Sequence, residues 1–288
     1  MDSPDKNSLQ ASTNIRIGAH IPKWAWDATV AIVVARRPVV YLLGTGSLFQ
    51  IADCFFVVTA AHVIREASEY DRTVGISGDS SFISVHGDWM SSVSDSEDDS
   101  FDVAVYALPS RAVRRLSHFR FLRVDDVSFD EQSEAGVFTL FGHPGIWSSP
   151  SKEDGETLQL KSLEYTAIAY QGSVNTLIGY DPRYHLLLDA KAQEVTWDNG
   201  TRAEFIDRGG RNATFPRDLK GISGCPVWRT VDLNVPPENW QKLPPKLVGV
   251  QTGIYQESQV IRVTRWAAVT TLINAAFPEL RPAINLIR

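Results

Sequence analysis

The chain has 288 residues, enough for one sizeable hydrophobic core or two modest ones. With 43% hydrophobic and 22% charged residues it has the composition of an ordinary soluble globular protein, and its net charge of −6 weighs against a nucleic-acid partner, whose phosphates repel an acidic surface. No stretch approaches the ~20 apolar residues that cross a bilayer as a helix, so no membrane partner is expected either.

Taken in chain order, the polar opening from Met1 to Asn14 lacks the apolar centre of a signal peptide. Cys54 and Cys225 are too few for a disulfide framework, so a reduced, cytoplasmic setting is expected, with no bridge between the two. Short apolar and β-branched runs follow: Val30 to Ala35, Val39 to Leu43, and Phe55 to Thr59. The last of these leads into Val57-Val58-Thr59-Ala60-Ala61-His62-Val63, where small residues beside the imidazole leave room for a substrate and a partner side chain. A histidine in an apolar run is more often a satisfied core residue than a catalytic one, and this motif alone does not decide.

From Ser91 to Ser100 the composition is that of a solvated acidic loop. After it, Asp102 opens the strand Val103 to Leu108, in which Val103, Val105 and Ala107 alternate with Ala104, Tyr106 and Leu108. Such an Asp can be an ordinary strand-leading residue, or a buried carboxylate that orients a histidine; Asp98 and Asp99 are rivals in the loop. Further strands are read at Val137 to Phe141, Leu186 to Leu188 and Leu247 to Val250, separated by turns such as Gly78-Asp79, Asp198-Asn199-Gly200 and Gly209-Gly210. His143, in Phe141-Gly142-His143-Pro144-Gly145, reads as structural, and the histidines show no metal-ligand spacing, so no metal or other cofactor is expected. Near the end, Thr264 can cap a helix in which Trp266, Val269, Leu272, Ile273 and Ala276 recur at helical spacing before Pro278. Strands repeating without intervening helices suggest sandwiches or barrels.

The sharpest motif is Gly221-Ile222-Ser223-Gly224-Cys225-Pro226-Val227. Glycines on both sides of a serine let the backbone turn tightly and bring amide N–H groups toward a reacting carbonyl. The three motifs occur in the order His, Asp, Ser, and 40 residues separate His62 from Asp102. In Thr-Ala-Ala-His, Asp-hydrophobic-Ala and Gly-x-Ser-Gly-x-Pro the sequence resembles the trypsin-like (chymotrypsin-fold) serine proteases over nearly its whole length. Gly44-Thr45-Gly46-Ser47 and Leu247 to Val250 are similar to the family's strands before the histidine and beside the specificity pocket.

The resemblance implies an all-β protein of two packed six-stranded antiparallel barrels with a C-terminal helix. Its divisions would be an N-terminal extension over 1–24, a first barrel over 25–128, a second over 129–263 and a helix and tail over 264–288. It implies a serine endopeptidase in which Ser223 attacks the peptide carbonyl, His62 moves the proton, Asp102 orients His62, and the N–H groups of Gly221 and Ser223 form the oxyanion hole. The same resemblance puts Arg217, Asp218, Thr252, Gly253 and Ile254 at the substrate pocket, with Arg217 favouring a non-basic residue before the cut bond. The expected partners are protein or peptide substrates and a regulatory protein.

Two departures stand out. Ile222 occupies the place where many secreted relatives carry an Asp that pairs with a newly released N-terminus, so the chain resembles the branches that need no such processing. The long interval from Asp102 to Ser223 places an insertion within Gly145 to Phe215. An α/β-hydrolase would need Gly-x-Ser-x-Gly and the order Ser, Asp, His, neither of which is present. A cysteine protease built on Cys225 would leave Ser223 unexplained. The competing expectation is a catalytically inactive fold of the same type that binds peptides or proteins.

Overall fold

A computed structural model describes residues 14–18, 21–36, 39–68, 73–77, 82–85, 87–92, 101–129, 135–150, 157–191, 194–196, 202–206, 219–236, 239–240 and 243–285. The strands Thr29–Arg36, Val39–Ile51, Cys54–Ala60, Thr73–Ser77, Phe82–Ser84, Met90–Ser91 and Val103–Ala107 form a seven-stranded antiparallel sheet. Gly136–Gly142, Leu163–Ala169, His185–Asp189, Pro226–Asp232, Lys246–Tyr255 and Val260–Arg265 close into a six-stranded antiparallel barrel. The chymotrypsin-like architecture expected from the sequence is therefore present, the first unit as a seven-stranded sheet and the second as a closed barrel.

Successive side chains on a strand face opposite ways, and strands whose two faces are both apolar must lie between two cores. In the Val103–Ala107 strand, Val103 and Val105 join one cluster with Phe49, Phe56, Trp228 and Trp266, while Ala104 and Tyr106 join another with Ile32, Val57 and Ile76. The first cluster draws residues from the sheet, from the barrel and from the closing helix, so it is the junction that fixes the two units on each other. The barrel has its own interior, which includes Phe138, Leu140, Leu186, Val227 and Val263.

Two helices flank the site. Ala61–Ser68 follows the 54–60 strand directly and buries Ala61, Val63, Ile64 and Ala67, a helical spacing that places four apolar residues on one face. Trp266–Ala276 closes the fold and buries Trp266, Ala268, Val269, Thr270 and Ile273. Its capping position is held by Arg265, with no side-chain cap bond, and not by Thr264 as expected. Thr264 instead belongs to the Val260–Arg265 strand, where its hydroxyl is bonded across the junction to the Phe101 carbonyl at 2.7 Å. Within the interval where an insertion is expected, Arg202–Ile206 pairs with Glu194–Thr196 and, in parallel, with Asn14–Gly18. No helix among the described residues is long and apolar enough to cross a membrane.

Candidate active site

His62 is the second residue of the 61–68 helix, and Asp102 is the residue before the Val103–Ala107 strand. The first amides of a helix have no partner within it. Here Asp102 supplies both: its backbone carbonyl accepts the Ala61 N–H at 3.0 Å, and its Oδ1 accepts the His62 N–H at 2.9 Å. Its Oδ2 lies 2.8 Å from His62 Nδ1. An ionised carboxylate can only accept, so Nδ1 carries the proton and Nε2 is left as the basic nitrogen. To reach all three groups Asp102 holds φ at 47°, the left-handed region that Asp tolerates better than most residues. Its side chain is 8% exposed, whereas that of His62 is 36% exposed. The carboxylate is sealed in and the imidazole still meets solvent.

A short hydroxyl chain supports this corner from the barrel. Thr252 Oγ1 is 3.0 Å from Thr264 Oγ1, which in turn donates to the Phe101 carbonyl. Thr252 and Thr264 are both buried. Two guanidinium groups also approach the carboxylate, Arg262 at 3.5 Å from Oδ2 and the more exposed Arg65 at 3.9 Å from Oδ1.

Ser223 sits on a turn whose flanking glycines, Gly221 and Gly224, have φ of +96° and +88°. Only glycine adopts both without strain, which is the physical content of the Gly-x-Ser-Gly pattern. The turn is pressed onto the sheet. Ser223 O accepts the Thr45 N–H at 2.8 Å, and Gly221 O accepts the Thr45 hydroxyl at 2.9 Å. A Cβ on Gly224 would fall on Thr59 Oγ1 and the Thr45 carbonyl and come 2.9 Å from the Ala60 nitrogen. A Cβ on Gly44 would come 2.8 Å from both the Ser223 carbonyl oxygen and Val63. The serine turn thus lies against Thr59-Ala60, the residues that lead into His62, and Gly44 separates it from Val63, the residue after His62.

Among the described residues, the N–H groups of Gly221 and Ser223 have no hydrogen-bond partner, and neither has the Ser223 hydroxyl. The Lys220 carbonyl, in the same peptide group as the Gly221 N–H and so pointing the opposite way, accepts the Gly145 N–H at 2.6 Å. Two unpaired amides, two residues apart and on either side of the bonded Ile222 N–H, beside a half-buried serine are an arrangement that can hold a developing oxyanion.

No family model matches the chain, and no curated protein sequence does. Solved structures do match. The scabies mite inactivated protease paralogue S-I1 aligns at a TM-score of 0.51 and 13% identity, over 87% of this chain and 94% of that one. A Glu endopeptidase solved in complex with MPD gives 0.48 and 12%, over 89% and 92%. The serine protease domain of the Sesbania mosaic virus polyprotein gives 0.45 and 17%, over 85% and 91%. The fold is that of the chymotrypsin-like serine proteases.

Within that fold, Ile222 is buried in the barrel interior beside Leu219 and Cys225. Cys225 is buried, which pushes its thiol well up, and both cysteines are free. The His143 backbone lies behind the serine turn, its amide N–H donating to Thr45 Oγ1 at 3.0 Å, while its ring sits beside Phe141, where desolvation lowers its pKa to about 4 against an opposing Lys161 backbone hydrogen bond. Of the residues expected at the pocket, Arg217 and Asp218 lie outside the described residues, as do Asp98 and Asp99. Gly253 and Ile254 are half-buried on the 246–255 strand, and Thr252 turns its hydroxyl inward to Thr264. Thr45, Thr59, Thr264 and Arg262 support the site, although the sequence gives none of them a role there. For Thr59, Thr264 and Arg262 the signal is a hydroxyl or charge inside an otherwise apolar run, and for Thr45 a hydroxyl between two glycines.

Proposed function

We propose that the protein is a serine endopeptidase that hydrolyses peptide bonds through an acyl-enzyme on Ser223. The observation that supports this best is the His62–Asp102 pair, with Nδ1 committed to the carboxylate at 2.8 Å and the serine turn packed against the same strand end. In this reading His62 Nε2 accepts the Ser223 proton as Oγ attacks the carbonyl carbon, and the oxyanion is met by the amides of Gly221 and Ser223. The imidazolium then protonates the leaving amine as the C–N bond breaks, and water reverses the sequence to release the acid. Asp102 stabilises the charged imidazole and keeps its proton on Nδ1. The missing Ser223 hydroxyl bond is compatible with this, because catalytic hydrogen bonds often tighten only when substrate is bound.

Ser223→Ala and His62→Ala are each expected to lower turnover on the order of 10⁶-fold, and Asp102→Ala roughly 10⁴-fold. Peptide cleavage followed by mass spectrometry reads this out, and unchanged cleavage by a clean Ser223→Ala preparation would refute the assignment. Because Ile222 is apolar and buried, no new N-terminus is needed to order the serine turn. Full-length and N-terminally trimmed protein should therefore cleave the same peptide equally fast; a strict requirement for trimming would contradict it. A cytoplasmic site of action on specific protein targets belongs to the same proposal and is tested by comparing cellular proteins cut by wild type and by Ser223→Ala.

The second reading is a chymotrypsin-like fold without turnover, as the name of the mite paralogue implies for that protein. The unbonded Ser223 hydroxyl is the observation in its favour. Reaction with a covalent serine probe separates the two.

A further inference from the structure

Arg262 is the one charged residue of the Val260–Arg265 strand besides Arg265, and its side chain is only 15% exposed. A guanidinium carries five N–H donors and no acceptor, and a buried cation is stable only when those donors are met. At Arg262 they are met mainly by neutral oxygens, the Tyr255 hydroxyl among them. One terminal nitrogen lies 3.4 Å from the Thr252 carbonyl and 3.5 Å from Asp102 Oδ2, and the other 3.5 Å from the Gly179 carbonyl, all near the outer limit of hydrogen bonding. Nε is buried with no partner. Asp102 is not a dedicated counter-ion, since the same Oδ2 is already held by His62 Nδ1 at 2.8 Å.

The position of the group matters as much as its charge. A Cβ on Gly253 would come 3.2 Å from Arg262 Nε and 3.4 Å from its central carbon. The guanidinium therefore lies directly over the bare backbone of Gly253, on the strand that the resemblance assigns to the substrate pocket, and next to the carboxylate that orients His62. Burial raises the pKa of the adjoining Tyr255 hydroxyl, and the Arg262 charge and a hydrogen bond with the Arg262 side chain pull it the other way; that hydrogen bond brings no negative charge to the guanidinium.

We propose that Arg262 is a specificity-determining residue that selects an acidic side chain on the peptide, close to the bond to be cut. A carboxylate there completes an under-compensated cation with charge-assisted bonds, whereas a lysine or arginine at the same point meets like charge. The inference rests on the protease reading and is separable from it. It also differs from the expectation attached to Arg217, which lies outside the described residues.

The test uses fluorogenic peptide libraries in which Glu or Gln is placed in turn at each of the positions flanking the cut, with full-length protein. At one position the Glu peptide should exceed its Gln partner in kcat/KM by roughly 10- to 100-fold, the range of a charge-assisted hydrogen bond. In Arg262→Gln that ratio should fall to about 1, and in Arg262→Lys it should be partly kept, because the charge remains and the fork does not. The ratio, not the absolute rate, is the readout, since Arg262 also touches Asp102; thermal melting of each variant checks folding. No acid preference at any position, or a preference that survives Arg262→Gln, overturns the inference while leaving the protease reading intact. If wild type cuts nothing, the same peptides are measured for binding by fluorescence anisotropy. An Arg262-dependent acid preference in binding without cleavage overturns the protease reading and supports the inference, and its absence overturns both.

Discussion

Asp102 and His143 show how single residues are held in states that water would not favour. Asp102 takes a left-handed backbone conformation so that one residue can satisfy two helix amides and an imidazole at once. A negative charge at the start of the 61–68 helix is also favoured by the helix dipole. His143 is the complementary case, a half-buried imidazole beside Phe141 that desolvation keeps neutral. Its pKa of about 4 in the folded chain lies below the 6.5 of an unperturbed histidine. Between those values the unfolded chain binds a proton that the folded chain does not, so stability rises with pH. The contribution is complete above pH 6.5 and is lost as pH falls toward 4, at most about 3 kcal/mol. Urea midpoints measured at pH 4.5 and 7 should therefore differ more for wild type than for His143→Gln. Equal differences would show that the imidazole titrates as it does in water.

At the scale of elements, the serine turn is built by two glycines that the sequence displays openly, whereas the contacts that seat it are nearly invisible there. Gly221 and Gly224 flank Ser223 in the one pattern where both need positive φ, so the turn itself could be read directly. That Gly224 rests on Thr59 and Thr45 could not, because nothing in a threonine within Val57 to Ala60 says which strand it faces. Gly224→Ala should cost about 3 kcal/mol or more, since the new methyl meets backbone on two strands and the φ is unfavourable for alanine. Chemical denaturation measures the loss, and a change below about 0.5 kcal/mol would mean that the turn is free to move. The 61–68 helix was missed for a related reason: it is short, follows a strand without a break, and gets its cap from Asp102 across the fold instead of from its own sequence. The closing helix was legible through its apolar spacing and Pro278, but its start fell a residue later than Thr264 suggested.

For the whole molecule, alternation was the informative signal. Val103 to Tyr106 read as a strand with two apolar faces, and the two faces do enter different cores. What the sequence could not supply was closure: the barrel ring depends on pairings such as His185–Thr264 and Gly142–Leu163, distant in sequence and encoded only in side-chain fit. The junction core, with Trp266 and Trp228 fully buried, carries the relation between the sheet that bears His62 and Asp102 and the barrel that bears Ser223. The central claim is that these three residues act as one unit, and a fluorophosphonate addresses it directly, because it reacts with an activated serine and reports the position by mass. Incubated with intact protein, the reagent should give a single adduct on the peptide containing Ser223, lost in His62→Ala and strongly slowed in Asp102→Ala. No adduct under any condition, or an adduct at Ser223 that persists undiminished in His62→Ala, would contradict it.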